Sequence, residues 1–149
     1  MKYTEIIQSL PYTKPFLFVD LLTRVDENGV TGSYTFSEDS DFYKGHFKGK
    51  PITPGVILTE CCAQIGLVCL GIWLLNQEST SLIGLQIGMS SSEMEFLVPV
   101  LPNETVIVSS EKVYFRFHKL KCTVKMHNEE GELVCKGVLS GMLKVNADG

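Results

Sequence analysis

Positive charge is scarce in this chain: thirteen lysines and arginines stand against seventeen aspartates and glutamates, a net charge of −4 over 149 residues. A general nucleic-acid binder needs the opposite balance, so no nucleic-acid partner is expected. Paired cysteines are missing as well. The five that occur, Cys61, Cys62, Cys69, Cys122 and Cys135, form no CxxC, and adjacent Cys61 and Cys62 cannot both face one metal from a helix. No metal site is expected. Free cysteine in an apolar helix acts as a small hydrophobe, and unpaired thiols suit a reducing cytoplasm. An unbroken membrane-length apolar run is absent too. Val56 to Leu75 has the length of a span, but Glu60 and Gln64 break it, so a buried central helix is expected instead. Phe16 to Leu22 is too short for a signal peptide and is interrupted by Asp20. With no repeats, linkers or low-complexity tracts, one domain over residues 1–149 is the natural reading.

What is present is ordinary for a soluble globular chain, 44% hydrophobic and 20% charged. Met1 to Leu10 has Ile6, Ile7 and Leu10 on one helical face and ends at Pro11. Phe16 to Arg24 is a strand candidate, and Asn28-Gly29 a hairpin turn. Val30, Gly32, Tyr34 and Phe36 then alternate with polar residues. Ser37 to Lys50 is polar and rich in turn formers. An apolar helix ends near Leu75. After it come a strand from Leu82 to Met89, a kink at Ser90 to Ser92, and a continuation from Met94 to Val98. Glu104 to Tyr114, the alternating Leu120, Cys122, Val124 and Met126, and Leu133 to Val145 supply further strands, with a turn at Asn128 to Gly131. One greasy helix packed on a curved antiparallel meander is an α+β layout.

The chemistry concentrates between Gly45 and Gln64. Thr53 has the character of an N-cap and Pro54 of a first helical residue, which places Gly55 in the first turn. Backbone N–H groups there lack intrahelical partners, and glycine lets a ligand approach closely. A capping Thr53 hydroxyl would claim one of those N–H groups for itself. Glu60 lies about 8 Å further along the axis, among Val56, Ile57, Leu58, Cys61, Cys62 and Ala63. Either it reaches solvent or a basic partner, or its surroundings raise its pKa so that it holds a proton near neutral pH. With His46 in the preceding loop, the stretch contains a base, an acid and an oxyanion donor.

Gly45-His46-Phe47-x-Gly49-x-Pro51-x-x-Pro54-Gly55-Val56, followed by Glu60 and Gln64, resembles the signature of FabZ-type (3R)-hydroxyacyl-[acyl carrier protein] dehydratases. Leu10-Pro11-Tyr12-x-x-Pro15-Phe16-Leu17-Phe18-Val19-Asp20 is similar to that family's opening segment, and the likeness thins after Leu75. The resemblance implies a hot-dog fold, a curved antiparallel sheet wrapped around one long central helix. It implies syn elimination of water from a (3R)-3-hydroxyacyl thioester, giving a trans-2-enoyl thioester. His46 would then take the C2 proton, Glu60 would hold the catalytic water or protonate the departing hydroxyl, and the Gly55 N–H would polarise the thioester carbonyl. Gln64, one turn beyond Glu60, would orient the carboxyl group or simply bond to backbone.

The implied partner is acyl carrier protein, or a CoA thioester. No cofactor is implied beyond the phosphopantetheine arm carrying the substrate. The implied assembly is a homodimer with each site shared across the interface, and a trimer of such dimers stays open. Lys44, Lys48 and Lys50 around His46 suit an acidic carrier or simply a solvated loop, while His118 and His127 receive no role. Departures from the family pattern are Lys48 and Lys50 where proline and arginine are usual, Thr53 where an apolar residue is usual, and the acidic Ser92-Glu93-Met94-Glu95-Phe96. These leave the carrier and acyl length open and point toward a specialised pathway such as polyene or secondary lipid synthesis. Two rivals remain: a hot-dog acyl-CoA thioesterase, and a non-catalytic acyl-carrier binding subunit.

Overall fold

The computed structural model describes residues 1–146. Helix α1 (Tyr3–Gln8) is followed by strands β1 (Leu21–Asp26) and β2 (Gly29–Thr35) and a single 3₁₀ turn, Asp41–Lys44. The long helix α2 (Gly55–Gln77) comes next, then β3 (Gln86–Phe96), β4 (Thr105–Arg116), β5 (Lys119–Asn128) and β6 (Leu133–Lys144). The six strands form one antiparallel sheet in the order β1-β2-β4-β5-β6-β3. This is the expected hot-dog arrangement, with the sheet curled around α2.

The helix lies inside because it has no polar face to give to water. Ile65, Cys69, Leu70, Ile72 and Leu75 are fully buried. By length and composition α2 could cross a membrane, yet 72% of its most apolar window is buried within the protein. It is α-helical from Gly55 to Cys62, widens to a π-helix over Ala63–Val68, and is α-helical again from Cys69. Within the wide segment, Gly66 lets the helix cross the sheet closely: a Cβ there would lie 3.0 Å from both Ser110 and Val124 side chains. The helix closes in a Schellman arrangement, with Ser79 at φ 59°, the Thr80 N–H donating to the Leu75 carbonyl and the Ser79 N–H to that of Asn76.

The alternation read in β5 holds, with Leu120, Cys122, Val124 and Met126 all facing the helix. Four other expectations need correction. The first strand begins at Leu21, not Phe16, because the Phe18 N–H donates to the Gln64 side chain and the Phe16 N–H to the Thr13 carbonyl. The third begins at Gln86, since Leu82 to Leu85 form a turn with Gly84 at φ 71°. Its kink is present as a register shift between Met89 and Ser91. The late strands are no simple meander, because β3 pairs with β6 and lies at the sheet edge while β2 pairs with β4.

The first hairpin, finally, turns through Glu27 and Asn28 and not through Asn28 and Gly29. Asp26 Oδ1 accepts the N–H groups of Asn28 and Gly29, and Asp26 pairs with Gly29. Gly29 serves packing: a Cβ would fall 1.9 Å from the Ser110 carbonyl oxygen. Gly29→Ala should therefore lower stability by roughly 1–3 kcal/mol. Gly45→Ala, where a Cβ meets nothing within 4 Å, should leave the melting temperature nearly unchanged. Thermal unfolding of the two variants checks this, and equal melting temperatures would reject the packing account.

Candidate active site

The loop before α2 is built to hold one imidazole. Phe47 and Lys50 exchange backbone hydrogen bonds of 2.8 and 3.0 Å, closing a tight turn in which Gly49 takes φ 65°. His46 is then clamped twice to Ile52: the Ile52 N–H donates to the His46 carbonyl at 2.9 Å, and His46 Nδ1 lies 2.8 Å from the Ile52 carbonyl oxygen. A carbonyl oxygen can only accept, so the Nδ1 position carries the proton in the neutral ring. Nε2 is left with its lone pair free. The exposed Phe47 ring stacks on the imidazole at 4.0 Å between centroids.

His46 borders a cavity of about 420 Å³ lined also by Ile52, Thr53, Gly55, Leu58 and Phe96 to Pro99. The start of α2 differs from the expected one. Pro54, at ψ 140°, is the N-cap and Gly55 the first helical residue. Thr53 does not cap. Its N–H donates to the Val100 carbonyl, and its hydroxyl is bonded to the Tyr43 hydroxyl. Among the described residues no acceptor is found for the Gly55 or Val56 N–H, so the helix mouth keeps its donors.

Glu60 is not part of this cavity. It stands two residues after Leu58, about 200° around the helix. There Gln64 Nε2 donates to Glu60 Oε2 at 3.0 Å. The same amide bonds the backbone: Oε1 accepts the Phe18 N–H at 2.8 Å and Nε2 donates to the Phe16 carbonyl at 3.2 Å. Burial pushes the Glu60 carboxyl above its ordinary range, and the Gln64 hydrogen bond pulls it partly back. Tyr12 shares this environment, its phenol pushed up to about 12 by burial and by the Glu60 charge. The structure thus brings His46 and Gly55 together, and Glu60 with Gln64, as two separate half-sites. Tyr12 and the Tyr43–Thr53 pair escaped the sequence reading. Tyr12 lay within a stretch singled out for likeness alone, and nothing local ties Tyr43 to Thr53.

The remaining candidates are peripheral. Lys48 and Lys50 are exposed, and Lys44 pairs with Asp41 at 3.1 Å on the surface. His118 lies 3.7 Å from Glu78, far along the chain from the cavity. All five cysteines are free and buried, and burial holds the Cys61 and Cys69 thiols well above their usual range, which makes them poor nucleophiles.

This fold, one antiparallel sheet curled around a long central helix, is of the hot-dog class. The FabA-like domain model matches residues 10–139, and the chain belongs to that family. The 3-hydroxyacyl-[acyl-carrier-protein] dehydratase FabZ of Ehrlichia chaffeensis is 33% identical over 145 residues, covering 95% of this chain and 94% of that protein. The FabZ of Caldicellulosiruptor saccharolyticus is 31% identical, covering 95% and 97%. Among solved structures, the dehydratase heterocomplex ApeI:P from Xenorhabdus doucetiae superposes with a TM-score of 0.79 at 14% identity, covering 96% of this chain and 92% of that one. A hypothetical thioesterase with coenzyme A from Streptococcus pneumoniae superposes at 0.59 and 14% identity, covering 84% and 85%. At such identities the structural likenesses speak for the fold alone.

The raised Glu60 pKa has a consequence for stability. A carboxyl whose folded pKa exceeds its unfolded value, near 4.5, binds more protons when folded. Its effect on stability is neutral below that value and turns unfavourable as pH rises through the folded pKa. Glu60→Gln removes the charge, so its melting temperature should match the parent near pH 4 and exceed it at pH 8. A pH series of melting curves decides; a variant less stable than the parent at pH 8 alone contradicts the burial account.

Proposed function

We propose that the protein is a hydro-lyase that dehydrates (3R)-3-hydroxyacyl thioesters carried on acyl carrier protein, yielding trans-2-enoyl thioesters. The observation that carries this reading is the tautomer set at His46. With Nδ1–H anchored on the Ile52 carbonyl, Nε2 is a base facing a cavity that also presents the unpaired Gly55 N–H. The Gly55 N–H, at the positive end of α2, polarises the thioester carbonyl and so acidifies C2. His46 Nε2 takes the C2 proton, the C2=C3 bond forms and the C3–O bond breaks. Glu60, whose burial favours the protonated form, protonates the departing hydroxyl and water leaves. Proton transfer is all the reaction needs, so no cofactor is invoked beyond the phosphopantetheine arm that carries the substrate.

The acid comes from a second copy of the chain. Glu60 lies on the far side of α2 from the His46 cavity, so a two-fold pairing is needed to join the half-sites. The surface for it is at hand. Strand β3 is an exposed edge eleven residues long, and unpaired edges of that length recruit another strand. Beside it, Val56 is 77% exposed, and Met89 and Phe96 are exposed as well, around a depression that shares Gly55 and Phe96 with the His46 cavity. We read this face as the homodimer interface, and the acidic Glu93 and Glu95 on β3 as favouring a specialised carrier over the housekeeping one. The five free thiols fit a cytoplasmic enzyme.

His46→Ala and Glu60→Gln should each reduce turnover of a 3-hydroxyacyl thioester by roughly 10²–10⁴-fold while the fold is kept. Normal turnover in either variant would reject the assignment, and free acid with free thiol as product would identify a thioesterase instead. Mixing the two inactive variants should regenerate activity in hybrid dimers. No recovery despite demonstrated subunit exchange would place the whole site within one chain.

A further inference from the structure

Two hydroxyls are buried beside the His46 cavity, and the reaction as derived uses neither. Tyr43 is 6% exposed and Thr53 3% exposed. Their side-chain oxygens are hydrogen-bonded to each other, and among the described residues neither has another side-chain partner. Two hydroxyls bring two protons, and the single bond between them consumes one. A phenol is the stronger acid and the better donor, an aliphatic hydroxyl the better acceptor, so Tyr43 donates and Thr53 accepts. Burial raises the Tyr43 pKa, with the Thr53 hydrogen bond opposing it. The proton left over belongs to Thr53.

That proton has no acceptor among the described residues, while Thr53 itself lines the cavity that holds His46 and Gly55. A ligand oxygen in the cavity would accept it. Thr53 lies two residues before Gly55, Pro54 between them has no N–H, and both Thr53 and Gly55 line the same cavity. The charge to be stabilised there develops on the carbonyl oxygen as the C2 proton leaves.

We propose that the Thr53 hydroxyl, held in place by Tyr43, is a second hydrogen-bond donor beside the Gly55 N–H to the carbonyl oxygen of the bound thioester. This rests on the dehydratase reading. It makes Thr53 a catalytic residue and Tyr43 a positioning residue. A plain staple joining the His46 loop to the start of α2 would instead make the two residues equivalent.

The test is steady-state turnover of a 3-hydroxyacyl thioester by the full chain and by Thr53→Val, Thr53→Ser, Tyr43→Phe and His46→Ala, with melting curves for each. Thr53→Val should lower kcat about 10- to 100-fold with KM within about twofold of the parent. Thr53→Ser should stay within about threefold, and Tyr43→Phe should lose less than Thr53→Val. Full turnover in Thr53→Val, a loss confined to KM, or equal losses in Thr53→Val and Tyr43→Phe with no rescue by serine overturns the proposal. If Thr53→Val melts below the assay temperature, Thr53→Ala set against Thr53→Ser makes the same comparison. An active His46→Ala would condemn the dehydratase reading itself, whereas an inactive one beside a full-rate Thr53→Val condemns only the role of Thr53.

Discussion

The side-chain amide of Gln64 is the joint between the N-terminal segment, the central helix and the acid. It is fully buried and saturated on three sides. The Phe18 N–H demands an acceptor and the Phe16 carbonyl demands a donor, so the amide cannot be turned around without breaking both. Glu60 consequently meets an N–H and never a carbonyl oxygen. Its carboxyl is governed by two opposed influences, burial that favours the neutral acid and a fixed donor that favours the anion, with burial the larger. A chain segment 46 residues away in sequence thereby sets the protonation behaviour of a residue on α2.

Why the proposed chemistry lies at one end of the helix follows from how the sheet wraps it. From Cys61 to Ile72 every position is buried, and a charge there would have no escape from its desolvation cost. The first turn and a half is different: Val56 stands in the open and Gly55, Thr59 and Glu60 are partly exposed. Only this stretch can present donors and an acid to a ligand while the rest of the helix anchors it. The π-helical widening falls just inside that boundary, over Ala63–Val68, and contains Gln64. Such widenings within α-helices concentrate at functional sites.

Legibility in the sequence tracked how local each cause was. The turn-rich stretch before α2 and the place of Gly55 in its first turn depend on backbone conformations that glycine and proline announce, and the burial of β5 depends on a strict period of two. These could be read. Phe16 to Phe18 has a strand's composition, but its N–H and carbonyl groups are recruited by Gln64, a contact that no window of neighbouring residues contains. The place of β3 beside β6 is likewise a long-range pairing. Thr53 misled for the sharpest reason: its capping propensity is real, and a phenol ten residues upstream outcompetes it. The division of the candidate site into two halves was not legible in spacing, since fourteen residues from His46 to Glu60 say nothing about which face of the helix each one meets.

The missing cap has its own logic. A threonine hydroxyl on a first-turn N–H stabilises a helix by roughly 1 kcal/mol, and here the residue suited to the task is turned away, leaving Pro54 with no side-chain acceptor in its place. For a structural helix this would be a defect. In the proposed mechanism the first amide meets a developing negative charge, and a cap would occupy that donor. The loss is tolerable because α2 does not depend on its ends: nearly two full turns past the mouth it is enclosed by the sheet, and that burial outweighs one absent hydrogen bond. A helix stabilised by its middle can leave its mouth unsatisfied, and an unsatisfied mouth in a walled cavity is a site for an oxyanion.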